Sequence, residues 1–290
     1  MTDKTETTGP VEPVDIDAKE MSFIDHLESL RWHVIRSTLF ILTITGLAFS
    51  YKNIVFDMII LGPKSVDFWT YRKLCALSEW LNLAQGLCVT EINFSLLNTE
   101  MAGQFTKHIV ISFVIGLVLG FPYLLWEVWR FVKPGLKFKE KSTTRGVVFF
   151  SSSLFLTGVL FGYFIVTPMS INFLANYELS PEILNQISIN SYISTITSIC
   201  FAAGILFELP LVIYFLSKMG IITPKFMRMY RKHAIMIILI LAAFLTPTPD
   251  IPTQLLISMP LFFLYEISIF ISGSVERRKL KDIKKQREQN

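Results

Sequence analysis

Residues 192–216 read YISTITSICFAAGILFELPLVIYFL. The stretch is long enough to cross a bilayer, which takes about 20 apolar residues. One charge interrupts it, Glu208, in Phe207-Glu208-Leu209-Pro210. A carboxylate at that depth costs a few kcal/mol on insertion scales, so it needs a partner or a cavity. Pro210 has no N–H, and the carbonyl it leaves free also needs polar company. A polar concavity within the membrane meets both demands. The alternative is a protonated Glu208 hydrogen-bonded to another helix for packing alone.

The rest of the chain agrees with a membrane reading. Of 290 residues, 52% are hydrophobic and 17% charged, with mean hydropathy +0.50. That excludes an ordinary soluble domain. Apolar runs predict an all-α, polytopic protein with six spans, near 34–49, 109–126, 146–167, 192–216, 234–245 and 255–272. The last two are short. Short spans thin the lipid around them or are shielded by partner helices. Residues 1–20 are Thr-, Pro- and acid-rich and read as a disordered tail without the apolar core of a signal peptide. Residues 21–272 form the membrane domain, and 273–290 a basic tail. Residues 22–36 predict an amphipathic interfacial helix capped by Ser22. It carries Phe23, Leu27, Leu30 and Val34 on one face and Asp25, Glu28, Ser29 and His33 on the other.

Charge fixes the expected orientation. Twenty-two of the 27 Lys and Arg residues flank alternate ends of these spans, before the first, between 2 and 3, between 4 and 5, and after 6. The other five lie in the long first loop, where the rule is weak, and the loops 168–191 and 246–253 contain none. Both termini are therefore expected in the cytoplasm.

The first outer loop, 51–108, is rich in apolar and aromatic residues and predicts short helices over the outer face. Cys75 and Cys88 both fall in it, in an oxidising compartment. They predict a disulfide, with two free thiols as the alternative. Gly116-x-x-x-Gly120 and Gly158-x-x-x-Gly162 lie within spans 2 and 3, where small residues permit close helix contact.

Enzyme chemistry is absent from the pattern. There is no HExxH, no phosphate-binding loop, no dinucleotide fingerprint and no metal-like cysteine spacing. No cofactor and no nucleic-acid partner is expected. What stands out is a set of carboxylates and prolines. Glu28 and Glu140 are on the basic side, Glu208 and Glu266 within spans, and Asp250 and Gln254 near the other side. Carboxylates at a cytoplasmic surface suit guanidinium ligands, whose planar fork pairs with both oxygens.

Five motifs occur in order: His26-Leu27-Glu28-Ser29-Leu30-Arg31, Trp129-x-Phe131-x-x-Pro134-Gly135-Leu136, Phe207-Glu208-Leu209-Pro210, Thr248-Pro249-Asp250-x-x-x-Gln254 and Leu264-Tyr265-Glu266. Together they resemble the TatC family, the polytopic subunits of twin-arginine protein translocases. The resemblance implies a receptor for paired-arginine signal peptides in the bacterial inner membrane. Such a receptor docks folded precursor proteins, associates with itself and with single-span TatA- and TatB-like partners, and works on the proton-motive force without nucleotide. It implies signal-peptide contacts at Glu28 or Ser29, Arg31, Phe131 and Glu140. It also implies an intramembrane polar site at Glu208 and Gln254, and structural or partner contacts at Pro63, Pro122, Pro210, Asp250 and Glu266. Aligned on His26, Leu30 and Arg31, the family's N-terminal glutamate falls on Ser29 and not on Glu28, a departure from the pattern.

An ion-coupled secondary transporter using Glu208 as a proton site is the competing function. Many such transporters carry an internal repeat, and none relates spans 1–3 to 4–6 here. A passive scaffold would not need Glu208. The charge pattern predicts that reporter fusions after Lys139 and after Lys225 read out in the cytoplasm and one within 168–191 outside. A reversed pair would overturn the orientation.

Overall fold

The computed structural model describes residues 23–80, 88, 92, 94–132, 144–177, 180, 185–245 and 251–288. Helix α1 runs Phe23–Ser50. A π-helical turn, Ile54–Ile60, and a 3-10 turn, Gly62–Lys64, lead to α2, Trp69–Trp80. Strand β1, Ser95–Leu97, precedes α3, Gly103–Val132. Helix α4, Thr144–Phe161, passes through a π-helical turn, Gly162–Val166, into α5, Thr167–Asn176. Then come β2, Gln186–Ser188, α6, Ile189–Phe207, α7, Leu209–Met219, α8, Pro224–Met229, α9, Arg231–Leu245, and α10, Ile251–Glu288.

Five of these runs are long and apolar enough to cross a membrane: Glu28–Ser50, Gly103–Phe131, Gly146–Asn176, Ile189–Met219 and Thr253–Lys281. The apolar helix α9 has 15 residues. At about 1.5 Å per residue it measures about 22 Å, below the roughly 30 Å of a hydrocarbon core. Large apolar side chains stand outward along the runs. Phe244 is 85% exposed and Phe270 77%, as lipid-facing residues would be and as a soluble surface rarely is. The predicted interfacial helix and the first span are one helix, α1, because no Gly or Pro separates them before Gly46. The basic tail is likewise helical as far as Glu288, continuing α10. The expected tail at 1–20 and the Ser22 cap lie outside the described residues.

The two small-residue pairs set the helix contacts. A Cβ on Gly116 would strike Thr45 and lie 2.9 Å from the Ile41 carbonyl, and one on Gly120 would lie 2.8 Å from Ile41 Cγ1. Thus α3 packs directly on the α1 backbone. A Cβ on Gly158 would lie 2.7 Å from the Ala203 carbonyl and from Phe207 Cβ, and one on Gly162 3.0 Å from Cys200 Cα. From the other side, a Cβ on Gly204 would meet Phe155 and Val159 at 2.7 and 2.8 Å. The third span, α4 with the π-helical turn after it, therefore interlocks with α6 through three glycines.

A cap of loop residues closes one end of the bundle. Its strands β1 and β2 pair in parallel, Ser95 with Gln186 through Leu97 with Ser188, joining the first loop to the loop before α6. The expected short helices are present there, and the strand pair adds to them. Tyrosine hydroxyls fasten the cap to the spans. Tyr71 donates to the Pro168 carbonyl at 2.8 Å, Tyr163 to Ile59 at 2.7 Å and Tyr192 to Ile60 at 2.9 Å. Burial pushes the Tyr71 phenol well above its ordinary pKa, so it stays a neutral donor. Cys75 and Cys88 are joined by a disulfide that ties α2 to the segment before β1.

Gly158 and Gly146 both lie in α4, but a Cβ on Gly146 would meet nothing within 4 Å. Gly158→Ala forces backbone and Phe207 apart, an overpacking cost of about 1–3 kcal/mol. Gly146→Ala should be neutral or mildly stabilising, as alanine favours helix. Thermal melting of the detergent-purified protein should fall for the first variant only.

Candidate functional site

At the Phe207-Glu208-Leu209-Pro210 motif the fourth span breaks. The Glu208 N–H bonds back to the Ile205 carbonyl at 3.0 Å, closing α6. The Glu208 carbonyl accepts from Leu211 at 2.9 Å, opening α7. Pro210 sits buried in the first turn of α7, where its missing N–H is not needed. The half-buried Glu208 side chain points to α4. Its Oε2 accepts a 2.6 Å bond from the Ser151 hydroxyl, and Ser151 is fully buried. Among the described residues its buried Oε1 has no hydrogen-bond partner, and neither has the buried Oγ of Ser152. This is a carboxylate with one oxygen held and the other open to a further polar group.

A second polar cluster lies where the start of α1 meets the end of α3, at the end of the bundle opposite the cap. His33 Nδ1 and Glu127 Oε2 are 2.5 Å apart, and Tyr123 donates to Glu127 Oε1 at 3.0 Å. Glu127 is 2% exposed and His33 14%. The His33 ring meets the edge of Phe131, with centroids 6.1 Å apart. Ser29 is half-buried one turn before His33 on α1, while Glu28 and Arg31 are exposed. The Arg31 guanidinium lies 5.7 Å over the Trp32 ring. Trp129 is buried against Phe215 at 5.0 Å, joining this end of α3 to α7. The structure thus brings the helix carrying Ser29 against the helix carrying Phe131. Glu140 and Asp250 lie outside the described residues.

Sequence pattern alone does not single out Glu127. Its signal was a lone carboxylate in Leu125-Trp126-Glu127-Val128-Trp129, four residues before Phe131. In the sequence His33 is one residue of the polar face of the amphipathic stretch.

The remaining sequence candidates are dispersed. Gln254 on α10 donates to the Leu239 carbonyl of α9 at 3.1 Å and borders a shallow apolar groove of about 310 Å³ with Met236, Ile240 and Phe244. Glu266 pairs with Arg231 at 2.7 Å, at the first residue of α9. It is therefore an ion pair at a helix end and not a lone intramembrane charge. Pro63 is buried in the cap, and its carbonyl accepts from Tyr71 at 3.2 Å. Pro122 lies inside α3, which continues through it.

The family model for the Sec-independent protein translocase protein TatC matches residues 25–260. The chain belongs to the TatC family. A TatC of Blattabacterium is 37% identical over 264 residues, covering 91% of this chain and 99% of the relative. A TatC of Aquifex aeolicus is 34% identical, with 91% and 100% covered. A crystal structure of the twin-arginine translocase receptor TatC in the detergent DDM has a TM-score of 0.63 at 32% identity, over 86% of this chain and 99% of that one. A second crystal structure of that receptor has a TM-score of 0.59 at 30% identity.

This member of the TatC family is a multi-pass membrane protein of protein transport, and its helical fold matches the solved family structures. The broken span in this TatC-family chain yields a direct test. Glu208→Gln keeps an acceptor for Ser151, whereas Glu208→Leu leaves that buried hydroxyl unpaired. A serine in a helix can fall back on the carbonyl four residues earlier, so the cost lies near the lower end of the usual range, about 1 kcal/mol. The melting temperature in detergent should drop for the Leu variant and hold for the Gln variant.

Proposed function

We propose that the chain is the receptor subunit of a twin-arginine translocase in the bacterial inner membrane. It binds twin-arginine signal peptides of precursor proteins at its basic, cytoplasmic face. It then presents the folded cargo to single-span TatA- and TatB-like partners, and to other copies of itself, for export on the proton-motive force. Both termini lie in the cytoplasm on this reading. Family membership supports it, as does the crystal structure of a relative that is a twin-arginine translocase receptor.

The observation that carries the reading is the contact between His33 and Phe131. It brings two motifs nearly 100 positions apart in the chain, His26 to Arg31 and Trp129 to Phe131, to one end of one helix pair. A peptide lying there meets both. Glu140, which lies between α3 and α4 in the sequence, supplies a carboxylate for one arginine. The intramembrane Glu208 and the α9–α10 edge at Gln254 offer polar contacts to partner helices. The competing transporter reading needs a proton path to Glu208, and nothing favours one.

The test is affinity of the detergent-purified protein for a twin-arginine peptide against its twin-lysine counterpart. The arginine form should bind more tightly. A charge-assisted contact to a partly exposed carboxylate is worth about 1.5–3 kcal/mol, or roughly ten- to a hundredfold in affinity. Glu140→Ala should lower binding by that order and Glu28→Ala by less. Equal affinity for the two peptides would overturn the receptor reading.

A further inference from the structure

The geometry points to a second arginine-accepting carboxylate: we propose that Glu127 fills the place left by Ser29, and that His33 occupies it until a signal peptide arrives. This deepens the receptor reading above and rests on it.

Four residues form two facing pairs. Ser29 and His33 are four apart on α1, and Glu127 and Phe131 are four apart on α3. Residues at that spacing share a helix face. The His33–Glu127 bond and the His33–Phe131 contact lock the two faces together. A carboxylate at position 29 would stand one turn, about 5.4 Å, along α1 from His33. Glu127 meets the His33 end of that turn from the facing helix. The carboxylate that α1 lacks is therefore present on α3.

The environment of Glu127 fits a guanidinium better than it fits its present partners. It is nearly sealed, and its two oxygens are held by two separate groups, an imidazole nitrogen and a phenol. A guanidinium presents two parallel N–H groups that take both oxygens at once. A lysine ammonium makes a point contact and lacks that match. Phe131 already borders the imidazole, and a guanidinium in its place would gain a cation–ring contact. Accessibility runs the right way as well. His33 is the more exposed partner, so an incoming side chain meets it first and displaces it. No covalent step is involved; one hydrogen-bonded partner replaces another, and His33 is a positioning residue.

The experiment measures affinity for twin-arginine and twin-lysine peptides, with a thermal melt of each variant as the folding check. Glu127→Gln should weaken the arginine peptide roughly ten- to a hundredfold and barely change the lysine peptide. Ser29→Glu should restore binding to Glu127→Gln, because it returns a carboxylate to the opposite wall. His33→Gln keeps a donor toward Glu127 but is a weaker competitor, so it should bind the arginine peptide as tightly as the unaltered protein or more so. Equal losses in Glu127→Gln and His33→Gln would mean the pair only holds α1 to α3, and would overturn the proposal. So would an unchanged Glu127→Gln or a failed rescue by Ser29→Glu. If Glu127→Gln does not fold, His33→Gln decides alone, with weaker binding the overturning result. An unaltered protein that does not prefer the arginine peptide would instead overturn the receptor reading itself.

Discussion

The close approach of α4 to α6 is the constraint on which the middle of the bundle depends. Lipid supplies no hydrophobic force between helices, so contact must come from packing. Gly158, Gly162 and Gly204 let Phe155, Val159, Ala203 and Phe207 of the opposite helix come to backbone distance. That approach brings Ser151 within 2.6 Å of Glu208. It also covers the one place where the fourth span stops being a continuous helix. A break exposed to lipid would leave polar backbone groups unmet, at several kcal/mol each. Set against α4, the break closes on its own carbonyls and on one serine. The π-helical turn Gly162–Val166 falls on the same contact, with Gly162 against Cys200. The irregular segments of these two spans therefore lie where protein, and not lipid, is the neighbour.

The two ends of the bundle are held differently. At the cap, tyrosine hydroxyls donate to backbone carbonyls of the irregular turns at Ile59, Ile60 and Pro63, and to Pro168 in the first turn of α5. Such bonds have no alternative partner once water is excluded. With the parallel strand pair and the Cys75–Cys88 bridge they make a fixed lid. At the opposite end several contacts are side chain to side chain, His33 with Glu127, Arg231 with Glu266 and Ser217 with Ser272, beside backbone bonds such as Tyr265 on the Met227 carbonyl. The side-chain pairs can exchange partners without unfolding backbone. On the proposed receptor reading, that asymmetry suits an end that takes and releases peptides.

The spans were legible because each is a long apolar run, and Glu208 because a charge inside one is costly. The glycine spacing was legible as close packing, though not which helices it joined. The strand pair was not, since three-residue strands 91 positions apart leave no period to read. Nor was the continuity of α1. An amphipathic stretch followed by an apolar one reads as two elements, and only the lack of a breaker makes them one. Glu266 read as an intramembrane charge because its partner, Arg231, is 35 residues away. Glu127 is not legible because it sits just where an apolar run ends, and charges there are ordinarily solvated. Its burial comes from α1, which sequence periodicity does not place. The count of crossings turns on α9, whose length suits a thinned bilayer or a shielded position better than an ordinary one.

The chemistry of the His33–Glu127 pair bears on why such a pair persists at the end of two spans. A buried ion pair is weak ground for stability, since apolar residues of similar size often serve as well or better. Removing one partner, however, strands the other and costs about 3–5 kcal/mol. A site built on a permanent cation, an arginine in place of His33, would have to break that fixed charge pair each time a ligand entered. An imidazole carries no permanent charge, so it can be displaced where an arginine would be held. What it leaves behind is a carboxylate in need of a cation, in contact with Tyr123 and close to Phe131. On the proposed exchange a guanidinium takes the place of the imidazole, and Glu127 is paired both before and after it. Stability alone gives no reason for a histidine at this position; exchange does.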